Sequence, residues 1–250
     1  VFGSLPAEVY GVGLVFCRVG ALVMLIPGIG ETSVPPRIRL ALALILSLAF
    51  APVLRAGLPP VPATVGGMGL QIAIELLVGL GIGALLRMFM AALAVLGEAV
   101  SLQTTLSFAQ TANPLEAQPS ATIATFLTLT GLALVFATDL HQMFIAAIVR
   151  SYTLFPAGKG VSVNDFGQLA VQTVGGTFAL GIQLSAPVIV FSLVFNVAAA
   201  FIGRTMPQFQ IFFVATPLTV LLGLSIFAMS LGMVGLIWTE RFRAFVERLS

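Results

Sequence analysis

Apolar residues fill long, nearly unbroken stretches of this chain, and polar residues gather in short clusters between them. The first apolar segment runs from about Val9 to Ile29 with one charge, Arg18, and ends in Pro27-Gly28-Ile29-Gly30. A polar stretch, Glu31 to Arg39, precedes the second, Leu40 to about Leu54. Pro59-Pro60-Val61-Pro62 then excludes helix, because each ring removes a backbone donor. The third segment extends from about Thr64 to Gln103, the fourth from Ala121 to about Arg150, the latter dented by Thr138-Asp139-Leu140-His141-Gln142. Between Asp165 and Arg204 lie 38 residues with no Asp, Glu, Lys or Arg, and another 35 lie between Arg204 and Glu240. Roughly 18 charges are expected over such a length at the ~25% typical of soluble domains. A hydrocarbon-like surrounding, lipid or packed protein, accounts for their exclusion.

The pattern predicts an all-α membrane-associated chain, read as one domain over residues 1–250. Membrane β-strands alternate apolar and polar residues, and these runs do not. A straight helix over 38 residues is about 57 Å long, nearly twice a ~30 Å hydrocarbon core. Each long run is therefore predicted to be a helical hairpin, a kinked helix or a helix reaching into a protein assembly. Gly175-Gly176 and Pro187 are the break points in one run, Pro217 and Gly223 in the other. Residues 238–250 form an amphipathic C-terminal helix, with Trp238, Phe242, Phe245, Val246 and Leu249 on one face, suited to a membrane interface or a partner groove.

Composition sharpens this. The chain is 59% hydrophobic and 8% charged, with a mean hydropathy of +1.12. Its net charge of +2 is scattered, which leaves no footprint for nucleic acid. A single cysteine, Cys17, excludes an intrachain disulfide and a multi-cysteine metal site. Asp139 and His141, two residues apart, do not share a helix face, so a metal site is not expected. The chain has no Gly-x-Ser-x-Gly elbow and no phosphate-cradling loop, and its one histidine would have to serve any triad. No catalytic residue and no cofactor are expected.

Six charges, Arg18, Glu75, Arg87, Glu98, Asp139 and Arg204, lie in or beside apolar segments. An ionised group there costs at least a few kcal/mol unless paired or wetted. Interhelical pairing is preferred to a polar path, since the six lack the regular spacing of a relay. Gly79 and Gly83, four apart, offer a small face to a neighbouring helix, either of this chain or of another subunit. Residues 104–120 form a loop rich in Thr, Gln and Ser around Leu106 and Phe108. It is either a surface connection or a segment able to obstruct a passage.

Four stretches carry a resemblance. Val34-Pro35-Pro36-Arg37-Ile38-Arg39, Gly97-Glu98 through Gln103 to Leu106-Ser107-Phe108-Ala109, Asn113-Pro114, and Arg204-Thr205-Met206-Pro207-Gln208 through to Pro217-Leu218 closely resemble the flagellar FliR family, in the same order and with matching gaps. Injectisome export-gate subunits are more distant relatives. The family often has Asp-Pro where this chain has Asn113-Pro114, so an acidic group has no counterpart there.

The resemblance implies a non-enzymatic, pore-forming subunit of the flagellar type III export gate. Its implied partners are FliP and FliQ, then FlhB and FlhA, with unfolded flagellar proteins as cargo and membrane lipid around it. It implies a place in the inner membrane at the flagellar basal body, partly raised toward the periplasmic side. Residues 105–120 correspond to the family's internal plug, which makes Leu106, Ser107, Phe108, Asn113 and Pro114 candidate plug residues. Glu98, Arg204, Pro207, Gln208 and Pro217 become candidate packing positions alongside Gly79 and Gly83. The alternatives are an injectisome export-gate subunit and an autonomous small-solute transporter, the latter requiring an inverted repeat around a polar midplane site.

Overall fold

The structure, a computed structural model, describes residues 5–107, 122–159, 163–206 and 211–249. Among the described residues all regular structure is helical: α1 (Leu5–Val23), α2 (Pro36–Leu54), α3 (Val65–Gln103), α4 (Thr122–Ala137), α5 (Leu140–Leu154), α6 (Val163–Thr205) and α7 (Ile211–Leu249). A short 3-10 turn, Arg55–Gly57, follows α2.

Local chemistry sets several boundaries. After α1 the chain reverses through Gly28, whose φ of 90° is open to glycine, and Gly30 donates to the Ile26 carbonyl at 2.7 Å. Pro36 opens α2 at a position where its missing N–H has no partner to lose, while Pro35 before it stays extended at φ −55° and ψ 137°. Thr64 caps α3: its hydroxyl accepts the N–H of Gly67 at 3.2 Å. At the other end of α3, Thr105 stands at φ 59°, a left-handed conformation rare for a β-branched residue. The dent expected near Thr138 is a 75° bend between α4 and α5. Asp139 turns that corner at φ 57°, which its short polar side chain tolerates.

Neither charge-free run folds back into a hairpin. Helix α6 continues for 43 residues through Gly175, Gly176 and Pro187. Helix α7 continues for 39 residues through Pro217 and Gly223. An internal proline removes one backbone donor without ending a helix when the residues on both sides hold helical geometry.

The chain divides into two compact units, and α3, α4, α6 and α7 each contribute residues to both. The first comprises residues 1–89, 135–174 and 242–250. Its apolar core includes Leu14, Val19, Leu22, Leu85, Phe144, Ile148, Phe242 and Val246. Phe242 sits 5.2 Å from Phe89 and 5.8 Å from Phe144, centroid to centroid, and Phe245 lies 4.9 Å from Phe89. Trp238, Phe242 and Val246 of the C-terminal stretch are thus buried within this chain, on a segment that is the last part of α7.

The second unit comprises residues 90–134 and 175–241. Close backbone approach organises it. A Cβ on Gly97 would run into the backbone of Ala124, and one on Gly181 would stand 2.8 Å from the Ala92 carbonyl. Gly223 packs on Thr104, and Gly131 beneath Leu93 and Trp238. Ser192 on α6 donates to the Gln103 carbonyl at the end of α3 at 3.3 Å.

Candidate functional site

Two of the six flagged charges meet in the interior of the first unit. The Arg18 Nε donates to Glu75 Oε2 at 2.7 Å, and Nη2 donates to Glu75 Oε1 at 3.1 Å. This fork matches guanidinium to carboxylate with two parallel bonds. Both side chains are fully buried. The remaining donors are also used: Nη1 bonds the Ser151 carbonyl at 3.1 Å and its hydroxyl at 3.4 Å, and Nη2 bonds the Phe155 carbonyl at 2.9 Å. The Tyr152 ring lies against the guanidinium, 3.9 Å from Cζ to the ring centroid.

Glu75 receives a further bond. The Gly158 N–H donates to its Oε1 at 3.2 Å, from a loop position with φ 72°. A Cβ there would stand 2.9 Å from Pro59, so the position suits glycine on both conformational and steric grounds. The cluster ties α1, α3, the end of α5 and the loop after it to one another. Removing two ions from a polar solvent is tolerated only with geometry and satisfaction of this kind.

The structure places the other flagged residues elsewhere. Gly79 and Gly83 face α1: a Cβ on Gly79 would collide with the Arg18 carbonyl and Ala21, and one on Gly83 would stand 2.7 Å from the Leu25 Cβ. Arg87 is exposed and stands 4.0 Å from Glu31. Glu98, Arg204 and Pro217 are exposed, as is Asp139, which accepts a bond from Gln142 at 3.2 Å. His141 stacks beside Phe136 at 5.4 Å. Leu106 and Ser107 are half-buried and helical just past Thr105. Phe108, Asn113, Pro114, Pro207 and Gln208 lie outside the described residues. Among the described residues, no three or more His, Cys, Asp or Glu converge on a metal position.

Of the cluster, only Arg18 and Glu75 stand out in the sequence. Ser151, Phe155 and Gly158 act chiefly through backbone atoms, and a backbone carbonyl leaves no mark on residue type. Tyr152 was equally silent, since an aromatic near the end of an apolar segment is ordinary.

Among the described residues, five helices are long and apolar enough to cross a membrane, or six if the bent α4–α5 pair counts as one span. With the interior charges neutralised pairwise, the fold defines a polytopic helical chain of membrane-spanning type. It belongs to the family of bacterial export proteins, family 1, which matches residues 9–245. The chain is 55% identical over 240 residues to the flagellar biosynthetic protein FliR of Caulobacter vibrioides, with 96% of each chain covered. The FliR protein of Escherichia coli is 32% identical over 84% of this chain and 80% of its own. That of Aquifex aeolicus is 30% identical over 94% and 90%.

Proposed function

We propose that this chain is a structural, pore-forming subunit of the flagellar type III export gate and not an enzyme. In this reading it assembles with FliP and FliQ, is followed by FlhB and FlhA, and helps conduct unfolded flagellar proteins across the inner membrane. The observation that carries it is the family match across residues 9–245, joined to 55% identity over nearly the whole of a protein named FliR.

The helices support the same reading. At 1.5 Å per residue, α6 is about 65 Å long and α7 about 58 Å, each near twice the ~30 Å of a hydrocarbon core. Both carry exposed large apolar side chains along their lengths, from Val171 and Phe178 to Phe201 on α6 and from Phe213 to Leu236 on α7. Helix beyond the reach of lipid needs protein cover for such a surface, and sister subunits supply it. Glu98, Arg204, Pro207, Gln208 and Pro217 are then contacts with those subunits, and part of the assembly is raised toward the periplasmic side. Residues 104–120 act as the plug. Their described beginning, Leu106 and Ser107, leaves α3 through the left-handed Thr105. Such a backbone conformation marks places where the chain is held against local preference.

Deleting residues 106–118 tests the plug. The variant is expected to co-purify with FliP and FliQ as the wild type does while making membranes leaky to ions. Unchanged conductance in an assembled mutant complex would overturn the plug assignment. Failure of the wild-type chain to co-purify with FliP and FliQ after mild detergent extraction would overturn the subunit assignment itself.

A further inference from the structure

Helices α1 and α2 run as neighbours, and the first turn of one meets the last turn of the other. Glu8, in the first turn of α1, accepts a bond from Arg55 Nη2, just past the end of α2, at 2.7 Å. The placement of both charges suits the helix dipoles: an acid at a helix start, a base at a helix end. Both helices qualify as membrane spans, over Pro6–Val23 and Pro36–Gly57. The ion pair therefore lies at the shared end of two adjacent helices long and apolar enough to span a membrane, where a lipid headgroup would meet them.

Below this pair is a cavity of about 400 Å³, within the size range of small-molecule sites. Val12, Leu48, Ala51, Pro52, Leu58 and Pro59 line it. Gly11 also lines it, and a Cβ there would stand 3.1 Å from the Leu58 side chain, so the absence of a side chain keeps that wall open. From Leu48 an apolar stripe continues along the outside of α2 through Ile45 and Leu44, all three well exposed. The site is thus an apolar notch with a cation and an anion at its mouth, opening onto a greasy track that runs into the span.

We infer that this notch binds one phospholipid whose headgroup carries a primary ammonium next to its phosphate. The phosphate accepts from Arg55, the ammonium donates to Glu8, and an acyl chain follows the notch onto Leu48 and Ile45. Charge complementarity selects this class. Among the described residues the pair shares a single bond, and its side chains remain 69% and 46% accessible, so each has capacity for a second partner. A lone anionic headgroup would set its phosphate against Glu8. A quaternary ammonium carries no N–H to donate to the carboxylate. The inference is independent of the export reading, and its readout is bound lipid, not secretion.

The test reconstitutes the full chain in vesicles of equal parts dioleoyl phosphatidylethanolamine, phosphatidylcholine and phosphatidylglycerol, then extracts it mildly and counts retained lipids by mass spectrometry. Wild type is expected to retain the ethanolamine lipid about threefold over its share of the vesicle, the scale of one accessible charge pair. Glu8→Gln is expected to abolish the preference over phosphatidylcholine, and Arg55→Gln to lower retention of all three. Val12→Trp, which fills the notch, is expected to lower retention regardless of headgroup. Circular dichroism of each variant checks that the helices are intact. Retention in vesicle proportions by the wild type, or an unaltered preference in Glu8→Gln, would overturn the assignment. So would a co-purifying peptide in place of lipid.

Discussion

The two units of this chain solve the same problem, holding helices together in an apolar setting, by opposite chemistry. The first buries an arginine and a glutamate and satisfies them with a fork, two carbonyls, a hydroxyl, a loop N–H and a ring. Among the described residues the second buries hydroxyls but no charge; Ser192 bonds across to α3, and Thr104, Ser185 and Thr219 bond back to their own helices. Thr104 donates to the Val100 carbonyl at 2.8 Å, Ser185 to Ile182 at 2.8 Å and Thr219 to Ala215 at 2.9 Å. Such bonds satisfy the hydroxyl without linking helices. Cohesion there comes from glycines that let backbones touch, a contact the first unit adds to its ion pair where Gly79 and Gly83 meet α1.

The difference teaches what each arrangement specifies. A saturated ion pair is satisfied in one geometry only, so it sets the positions of α1, α3 and the α5 loop uniquely. Small-residue contact sets distance but is tolerant of sliding. Both units leave large apolar side chains exposed, Val53, Val65 and Leu77 in the first and Phe201, Phe213 and Met229 in the second, so the difference lies in what holds the interior.

Breaking the ion pair should have the largest effect. Arg18→Met leaves Glu75 buried without its partner and is expected to cost about 3–5 kcal/mol. The matched double variant, Arg18→Met with Glu75→Leu, should recover much of that. Thermal unfolding in detergent, followed by circular dichroism, compares the two. Equal loss in single and double variants would show that the cluster works by packing alone.

Phe242→Ala should follow, at about 3–4 kcal/mol for an aromatic removed from contact with Phe89 and Phe144. Limited proteolysis should then find new cleavage near residue 242. Smaller still, Gly97→Val forces a side chain into the Ala124 backbone and should cost about 1–3 kcal/mol. Its proteolytic effect should be confined to residues 90–134 and 175–241, leaving the first unit protected. As the sharpest contrast, Gly175→Ala meets open space on a helix. It should be neutral or stabilise by up to about 1 kcal/mol, read as a small rise in Tm.

Much of the architecture was legible in residue order. The third apolar segment, expected from about Thr64 to Gln103, is α3 from Val65 to Gln103. The polar dent at Thr138-Asp139 is the α4–α5 corner. Both are local properties: a donorless or polar cluster interrupts a helix wherever the fold places it. The site was legible only in part. Glu75, Arg87 and Glu98 share an arc of one helix, and that arc cannot say which of them faces α1. Arg87 and Glu98 are exposed, and Glu75 alone points inward. The open continuation of α6 and α7 through their prolines was likewise invisible, because a proline permits a kink or a break without choosing between them.

By itself the sequence determined that this chain is helical and membrane-like, where most of its helices begin, and which family it belongs to. These follow from hydrophobicity, from turn chemistry and from motifs a few residues long. Only the tertiary structure decided which charge is neutralised and by what. Arg18 finds Glu75 57 positions away, and carbonyls 133 and 137 positions away. The same holds for Phe242 and Phe245, which pack on Phe89 and, for Phe242, on Phe144. The physical reason is range: helix formation is settled within a few turns, whereas a buried ion takes whatever partner the packing of distant segments brings within 3 Å or so of it.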